Sequence, residues 1–233
     1  MLQPDVELYE LSDSFFSVFP EANRKSDYDF NAKFYDFIVP NPLPQKLIWK
    51  NSLEDYHNFC VKALNSAESG AVLDAGCGSL VFTARAYSEC HNRPILLLDR
   101  SLVMLQKAAK RLTEINGRIP ENILLLQADI FDLPFREKTF ATVNSFGMLH
   151  LFDDTKTFLD SLNHVLNENG RMYLLVLLGE TPLGKFVTNI FKRTGEIALA
   201  LNSERMRQRI MDAGFNLKLN VKGNIGYIEL FET

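Results

Sequence analysis

Short apolar runs alternate with segments of helical period along most of this chain, and this alternation limits the fold to a narrow class. Beyond residue 70, five nearly all-apolar runs are typical of strands buried on both faces of a parallel sheet. They lie at residues 71–73, 95–98, 123–126, 140–143 and 172–178. Apolar side chains recur at helical spacing in residues 101–115, 158–166 and 203–213. The alternation predicts an open α/β sheet with right-handed crossovers.

The last two apolar runs predict a different strand connection. Residues 215–221 and 225–231 are separated by only three residues, whereas a parallel crossover needs about a dozen or more. The two runs must therefore form an antiparallel hairpin. The predicted fold class is a doubly wound, mostly parallel, seven-stranded Rossmann-like sheet that ends in this C-terminal hairpin.

The N-terminal third of the chain does not follow the strand and helix alternation. Residues 1–65 are rich in aromatic side chains and contain Pro40, Pro42 and Pro44, which favours helices around a kinked connection over sheet. We therefore predict a helical N-terminal cap at 1–65 that forms the substrate region. The core is predicted at 66–233, with an insertion at 180–202 opened by Pro182 and Gly184.

Charge and composition narrow the class of partner and the location. The 233 residues carry a net charge of −4, and residues 1–30 hold seven acidic side chains against two basic ones. A nucleic-acid partner normally requires a basic surplus, so we expect none. The apolar runs are too short to span a bilayer, and the first residues lack the features of a secretory signal. These observations predict a soluble, cytoplasmic protein.

The cysteines and histidines do not have the spacing of a metal site. Cys60, Cys77 and Cys90 are odd in number and far apart, and the four histidines are equally scattered. Neither pattern matches paired zinc ligands or a disulfide framework. The sequence therefore predicts no structural metal and a reducing environment.

The segment VLDAGCGSL, residues 72–80, is the sharpest functional signal. A buried strand ends near Asp74 and turns through Gly76 and Gly78 into a helix predicted to start near Ser79. Glycine lets the backbone approach a ligand closely, because it lacks a side chain and tolerates positive φ. We therefore expect a ligand at this turn.

This segment resembles the first motif of class I S-adenosylmethionine-dependent methyltransferases. Asp99-Arg100-Ser101 is similar to the second motif of the family, whose acidic residue binds the ribose hydroxyls, and residues 127–135 resemble the third motif, which contacts adenine. The resemblance covers about residues 70–179 and implies S-adenosyl-L-methionine as cofactor. It implies the following cofactor-binding residues: Asp74, Gly76, Gly78, Asp99, Arg100, Asp129, Ile130 and Asn144.

The residues that contact the methyl acceptor are less clearly marked. The loop after the fourth strand has no Asn-Pro-Pro-Tyr tetrad, so a small-molecule acceptor is predicted. Residues 28–36 resemble a segment of ubiquinone and menaquinone methyltransferases, and Tyr35 and His150 are the candidate catalytic residues. The methylated element (oxygen, nitrogen or carbon) and the oligomeric state stay open, with a homodimer as one option.

Leu80 departs from the family pattern, which usually has a third glycine there. A leucine at this position predicts crowding of the methionine end of the cofactor or a shifted helix start. Two alternatives therefore remain: a weakly active or inactive methyltransferase-like binding or regulatory subunit, and a nicotinamide-dependent oxidoreductase. The second has less support, because Val81 occupies the third glycine position of its motif.

Residues 179–211 combine charge and apolarity. They hold six basic side chains against three acidic ones, next to apolar residues that include Phe186 and Ile190. Two interpretations stay open: a lid that contacts an acidic or lipid-like substrate, and a solvated helix face.

Overall fold

A single nine-stranded sheet runs through the computed structural model, which describes residues 1–24, 42–67 and 69–231. The strand order is β1-β2-β5-β4-β3-β6-β7-β9-β8. Strands β2 to β7 are mutually parallel where they pair, and β1, β8 and β9 are antiparallel to their neighbours. The strands are β1 Tyr9–Ser12, β2 Phe15–Ser17, β3 Val72–Ala75, β4 Ile95–Asp99, β5 Ile123–Gln127, β6 Phe140–Phe146, β7 Leu166–Leu177, β8 Asn216–Lys222 and β9 Ile225–Phe231.

The predicted fold class is confirmed for the core of the sheet. Strands β3 to β9 form a seven-stranded, mostly parallel sheet, and β8 and β9 form the predicted antiparallel hairpin. Central strands have side chains buried on both faces, as the apolar runs predicted. The division into an N-terminal region and a core with an insertion stays a prediction.

The prediction of helices without sheet is wrong for the start of the chain. Strands β1 and β2 form a hairpin that adds to the edge of β5, where Phe15 pairs with Leu125. Ser14 makes the tight turn with a φ of 62°. Phe15 and Ser17 of β2 face inward and are buried, so this short strand is held by the sheet edge and not by its own periodicity.

Six α-helices of six or more residues flank the sheet in the described ranges. They are α1 Leu53–Leu64, α2 Ala84–Glu89, α3 Leu102–Asn116, α4 Thr155–Val165, α5 Pro182–Thr194 and α6 Ser203–Asp212, and a short helical segment Pro42–Pro44 continues as a π-helical turn at Gln45–Trp49. The predicted helices at 101–115 and 203–213 are confirmed. Ser101 caps α3 as predicted, because its side chain accepts a hydrogen bond from the Met104 N–H.

The carboxyl ends of four parallel strands meet at one edge of the sheet. Adjacent strands are in register, with Asp74 opposite Asn144 and Asp99 opposite Gln127. We call this side the carboxyl edge, and the loops that leave it carry most of the predicted site residues. Within the described ranges, the structure contains no helix long and apolar enough to cross a membrane.

Candidate active site

The backbone after β3 turns sharply at two glycines. Gly76 and Gly78 have φ values of +79° and +57°, in the region that glycine adopts without strain. The N–H groups of Gly76 and Cys77 both donate to the Leu98 carbonyl at the end of β4, at 2.8 and 2.9 Å. The first half of the turn is therefore fixed on the neighbouring strand.

The two glycines differ in the space around them. A Cβ added at Gly76 would lie 2.5 Å from Cγ of Met148, so this glycine is required by packing. A Cβ added at Gly78 would have no described heavy atom within 4 Å. The open side of the turn is therefore at Gly78, where a ligand can approach the backbone, and this space fits the cofactor that the motif implies.

Asp99 lies at the end of β4 beside this open space. One carboxylate oxygen accepts from the Gly78 N–H at 2.8 Å, and the other accepts from the Ser101 N–H at 2.8 Å. Each carboxylate oxygen can accept more than one hydrogen bond. These two contacts fix the carboxylate against the glycine turn.

The residues of the third motif lie beyond the end of β5. Asp129 is half-buried, and its Oδ1 accepts from the Phe131 N–H at 2.9 Å. Ile130 is buried in the core. Because β5 neighbours β4, these residues lie on the carboxyl edge near Asp99.

Asp74 and Asn144 form a buried polar cluster with Tyr87 of α2. The Tyr87 hydroxyl donates to Asp74 Oδ2 at 2.7 Å and accepts from Asn144 Nδ2 at 3.2 Å. Oδ1 of Asp74 and Oδ1 of Asn144 have no partner among the described atoms. Burial raises the pKa of Asp74 to about 7, the Tyr87 hydrogen bond opposes this shift, and the charge of Asp99 adds to it.

Sequence reasoning missed Tyr87. The residue lies in α2, 11 positions after Gly76, where a buried tyrosine has the same pattern as any core aromatic. No local signal separates its hydrogen-bonding role from packing.

Aromatic side chains from separate segments meet next to the glycine turn. Phe82, in the same turn, stacks on Tyr56 of α1 with ring centroids 4.3 Å apart. Phe59 contacts three further rings at centroid distances of 5.1 to 5.9 Å. We call this group the aromatic wall, and it consists of Tyr56, Phe59, Phe82, Phe146, Tyr173 and Tyr227.

The hydroxyl groups of two wall residues form hydrogen bonds with other side chains. The Tyr56 hydroxyl donates to Gln45 Oε1 at 3.1 Å, and the Tyr227 hydroxyl bonds to the Asn51 amide at 2.6 and 2.9 Å. Both residues are buried, so their hydroxyl groups are satisfied inside the protein. Sequence reasoning missed the wall because its members are brought together only by the tertiary fold.

Comparisons with known proteins agree with this geometry. A family model described as a methyltransferase domain matches residues 72–170, which include the glycine turn, Asp99 and Asp129. Residues 72–170 are therefore a methyltransferase domain of the class I S-adenosylmethionine-dependent type. S-adenosyl-L-methionine is the cofactor of this family, and neither of the two alternative functions is favoured.

The individual relatives of this chain are distant in sequence. The chain is 25% identical over 195 residues to an uncharacterized chloroplastic methyltransferase of Arabidopsis thaliana, covering 82% of this chain and 51% of the relative. It therefore spans about half the length of that protein. It is 26% identical over 189 residues to the ubiquinone/menaquinone biosynthesis C-methyltransferase of Wigglesworthia glossinidia brevipalpis, covering 78% and 71%.

A solved structure shares the fold of this chain. The S-adenosylmethionine-dependent methyltransferase of Aquifex aeolicus superposes with a TM-score of 0.61 at 15% identity, covering 88% of this chain and 98% of that one. At this identity the likeness shows the fold alone. It extends over most of the sheet and not only over the matched domain.

Leu80, the departure from the methyltransferase glycine pattern, is accommodated by the backbone. Its φ is 57°, a left-handed conformation that costs a non-glycine residue roughly 1 kcal/mol. The side chain is only 2% exposed and belongs to an apolar cluster with Cys60 and Leu64. It therefore packs in the core and does not cover the open side of the turn.

The start of α2 differs from the prediction. The helix begins at Ala84 and not near Ser79. A left-handed residue cannot lie inside a right-handed helix, so Leu80 delays helix formation, and residues 81–83 remain in turns. Of the two effects expected from a leucine at this position, the structure has the shifted helix start.

The Arg100 side chain has contacts outside the glycine turn. The Arg100 guanidinium lies 4.0 Å from the ring centre of Phe19 and donates to the Asn23 carbonyl, so it contacts the N-terminal segment. Tyr35 lies outside the described residues. The role of Arg100 in cofactor binding stays a prediction.

His150 is placed as a structural residue. Its side chain is buried, and its Nδ1 accepts from the Leu177 N–H at 3.3 Å. Burial lowers its pKa to about 4. A general base needs access to the substrate and a pKa near the working pH, so we do not propose His150 as the base.

Gly78 has open space around it, whereas Gly76 is packed against Met148. Gly78→Ala is expected to lower affinity for S-adenosylmethionine at least tenfold, about 1.4 kcal/mol, because its methyl group enters the space left for the cofactor. Its fold is expected to lose only about 1 kcal/mol through backbone strain. Isothermal titration calorimetry and urea unfolding measure the two effects.

Matched variants separate the two effects. Gly117→Ala is the control for Gly78→Ala, because Gly117 has a φ of +77° and equally open surroundings but ends α3. It is expected to lose stability and keep affinity. Gly76→Ala is expected to lose roughly 2–3 kcal/mol of stability through overpacking, partly restored by Met148→Ala. Equal affinities of the Gly78 and Gly117 variants would refute the ligand position.

Proposed function

We propose that this protein transfers the methyl group of S-adenosylmethionine to a small, largely apolar acceptor. The observation that carries the proposal is the open side of the glycine turn at Gly78, with the carboxylate of Asp99 fixed beside it. The aromatic wall begins in the same turn, at Phe82. The groups proposed to bind the cofactor therefore adjoin an aromatic cluster.

Each proposed cofactor residue would contact a different part of the cofactor, according to its position on the carboxyl edge. The Gly76 and Gly78 backbone would lie along the cofactor, Asp99 would accept from the ribose hydroxyls, and Asp129 with Ile130 would contact adenine. Asp74 and Asn144 would hold the buried side of the turn in place through their hydrogen bonds to Tyr87. When bound, the cofactor supplies an electrophilic methyl group on a positively charged sulfur.

The protein then contributes mainly orientation and exclusion of water. Bringing two reacting atoms to about 3–3.5 Å accounts for much of the rate increase in reactions between bound partners. Aromatic faces also attract cations, which suits a wall beside a positively charged sulfur. Of the wall residues, Phe82 and Phe146 are only half-buried, and their aromatic rings would favour a flat or hydrocarbon acceptor.

A quinone precursor is the first acceptor to test. The Wigglesworthia relative is named as a C-methyltransferase of ubiquinone and menaquinone biosynthesis, and a quinone ring matches an aromatic surface. The catalytic group that removes a proton from the acceptor is left unassigned, and Tyr35 stays a candidate from the sequence.

Calorimetric titration tests the proposed function directly. We expect the protein to bind S-adenosylmethionine and S-adenosylhomocysteine, and mass spectrometry is expected to detect a methylated product with a quinone-type acceptor. Leu80→Gly is the informative variant. Because the Leu80 side chain packs in the core, this variant is expected to lose roughly 2–4 kcal/mol of stability without gaining affinity.

Two results would contradict this expectation. If only Leu80→Gly bound the cofactor, the natural chain would be a non-catalytic relative that retains the fold. If neither protein bound it, the cofactor assignment itself would be wrong for this chain.

A further inference from the structure

Helix α5 exposes large apolar side chains along one stripe. Leu183, Phe186 and Ile190 are 46%, 64% and 40% exposed and lie within about one-sixth of the helix circumference at the spacing of an α-helix. The residues that α5 buries most are the small ones, Gly184 and Thr188. An ordinary surface helix turns its large apolar side chains inward. The exposed stripe of α5 therefore indicates a binding surface.

The helical turn that packs against α5 exposes one more large apolar side chain. Leu47, in the turn Gln45–Trp49, is 62% exposed. This turn packs against α5, with the rings of Trp49 and Phe191 at a centroid distance of 6.2 Å. We call Leu47, Leu183, Phe186 and Ile190 the apolar patch. Contiguous exposed apolar surface of this kind marks an interaction site.

Basic side chains lie on α5 and on the helical turn beside it, with Arg193 next to the stripe and Lys185 and Lys192 on the polar side of α5. Lys46, Lys185, Lys192 and Arg193 are all exposed, and none of them forms an ion pair in the described part of the chain. Glu196 lies just beyond the end of α5. The chain as a whole has a net charge of −4. These basic residues are therefore opposite in sign to the net charge of the protein, and they complement an anionic surface.

We propose that the apolar patch docks the protein on an anionic lipid bilayer, with α5 lying in the plane of the interface. Helices that bind there combine a basic polar face with Phe and Leu on the other face, and both contributions add to binding. A nucleic acid would match the basic residues, but it offers nothing to an exposed apolar stripe. The proposal goes beyond methyl transfer and does not depend on it.

Helix α5 lies between the exposed stripe and the aromatic wall. The helix begins soon after β7 ends at the carboxyl edge, and its half-buried Val187 and Phe191 pack against the cluster that contains the aromatic wall. The core packing is therefore continuous from α5 to the wall. Docking would place α5, and with it this side of the aromatic cluster, next to the lipid.

Co-sedimentation of the full chain with vesicles tests the docking. We expect binding to phosphatidylcholine vesicles that contain phosphatidylglycerol, weaker binding to pure phosphatidylcholine, and loss of binding as salt screens the charges. Phe186→Ser and the double variant Lys192→Glu/Arg193→Glu are each expected to reduce partitioning roughly tenfold or more. Circular dichroism verifies that each variant is folded.

Controls come from elements away from the patch. Ile115→Ser on α3, where Ile115 is 51% exposed, and Lys218→Glu on β8 are expected to leave partitioning unchanged. The proposal is overturned if the natural chain does not sediment with anionic vesicles, or if the controls lose as much binding as the patch variants. It is also overturned if sedimentation velocity shows a dimer that Phe186→Ser dissociates, with no vesicle binding, since a second copy would then cover the patch.

Discussion

Asp99→Ala is expected to lower the affinity of the protein for S-adenosylmethionine by roughly 100-fold, the largest effect of any single side chain at the site. Hydrogen bonds to a charged group contribute about 1.5–3 kcal/mol each, and the ribose offers two hydroxyls to this carboxylate. The backbone contacts of Asp99 with Gly78 and Ser101 fix its position before the cofactor arrives. Isothermal titration calorimetry with S-adenosylhomocysteine measures the loss without turnover.

The same substitution also removes a contact at the start of a helix, so it needs a matched control. Asp154 caps α4 by accepting from the Thr157 N–H at 3.0 Å, and Asp154→Ala is expected to lose about 1 kcal/mol of stability. Its cofactor affinity is expected to stay unchanged. Asp99→Asn keeps the shape and loses the charge, so it is expected to fall between the natural chain and Asp99→Ala. Unchanged affinity in both Asp99 variants would mean that the ribose is bound elsewhere.

Local pattern was enough to predict the part of the site that lies on the core sheet. Runs buried on both faces identify parallel strands, and the strand ends place Asp74, Asp99 and Asp129 on one edge. The glycines in the turn carry their own conformational signal, because positive φ is costly for other residues. These features depend on residues close in sequence, which is why they can be read without a structure.

The features that could not be predicted depend on distant contacts. Strand β2 has only three residues, too few for a periodic pattern, and the edge of β5 holds it. The aromatic wall joins residues from α1, the glycine turn and three strands, so no single segment carries a sequence pattern that predicts it. The late start of α2 follows from packing of the Leu80 side chain in the core, which selects a left-handed backbone that sequence propensity disfavours.

Two buried groups with opposite pKa shifts are expected to compensate each other in the pH dependence of stability. Burial raises the pKa of Asp74 from 3.8 to about 7, and burial lowers that of His150 from 6.5 to about 4. From pH 4 to 7 the folded chain holds a proton on Asp74 that the unfolded chain releases, so this group lowers stability as pH rises. From pH 4 to 6.5 the unfolded chain holds a proton on histidine that folded His150 lacks, so this group raises stability as pH rises.

Variants that remove one group at a time are expected to expose the two opposing slopes. At about 1.36 kcal/mol per pKa unit, Asp74→Asn is expected to gain roughly 4 kcal/mol relative to the natural chain between pH 4 and 7. His150→Gln is expected to lose roughly 3 kcal/mol relative to it between pH 4 and 6.5. Urea unfolding across this range gives both difference curves.

The double variant tests whether the two groups act independently. If they do, its difference curve equals the sum of the two single curves, and the gain and loss largely cancel below pH 6.5. Flat curves for both single variants would mean that Asp74 and His150 keep their ordinary pKa values in the folded protein. Asp74 would then be a charged acceptor beneath the glycine turn at neutral pH, and its unpartnered oxygen would need a donor from the bound cofactor or from water.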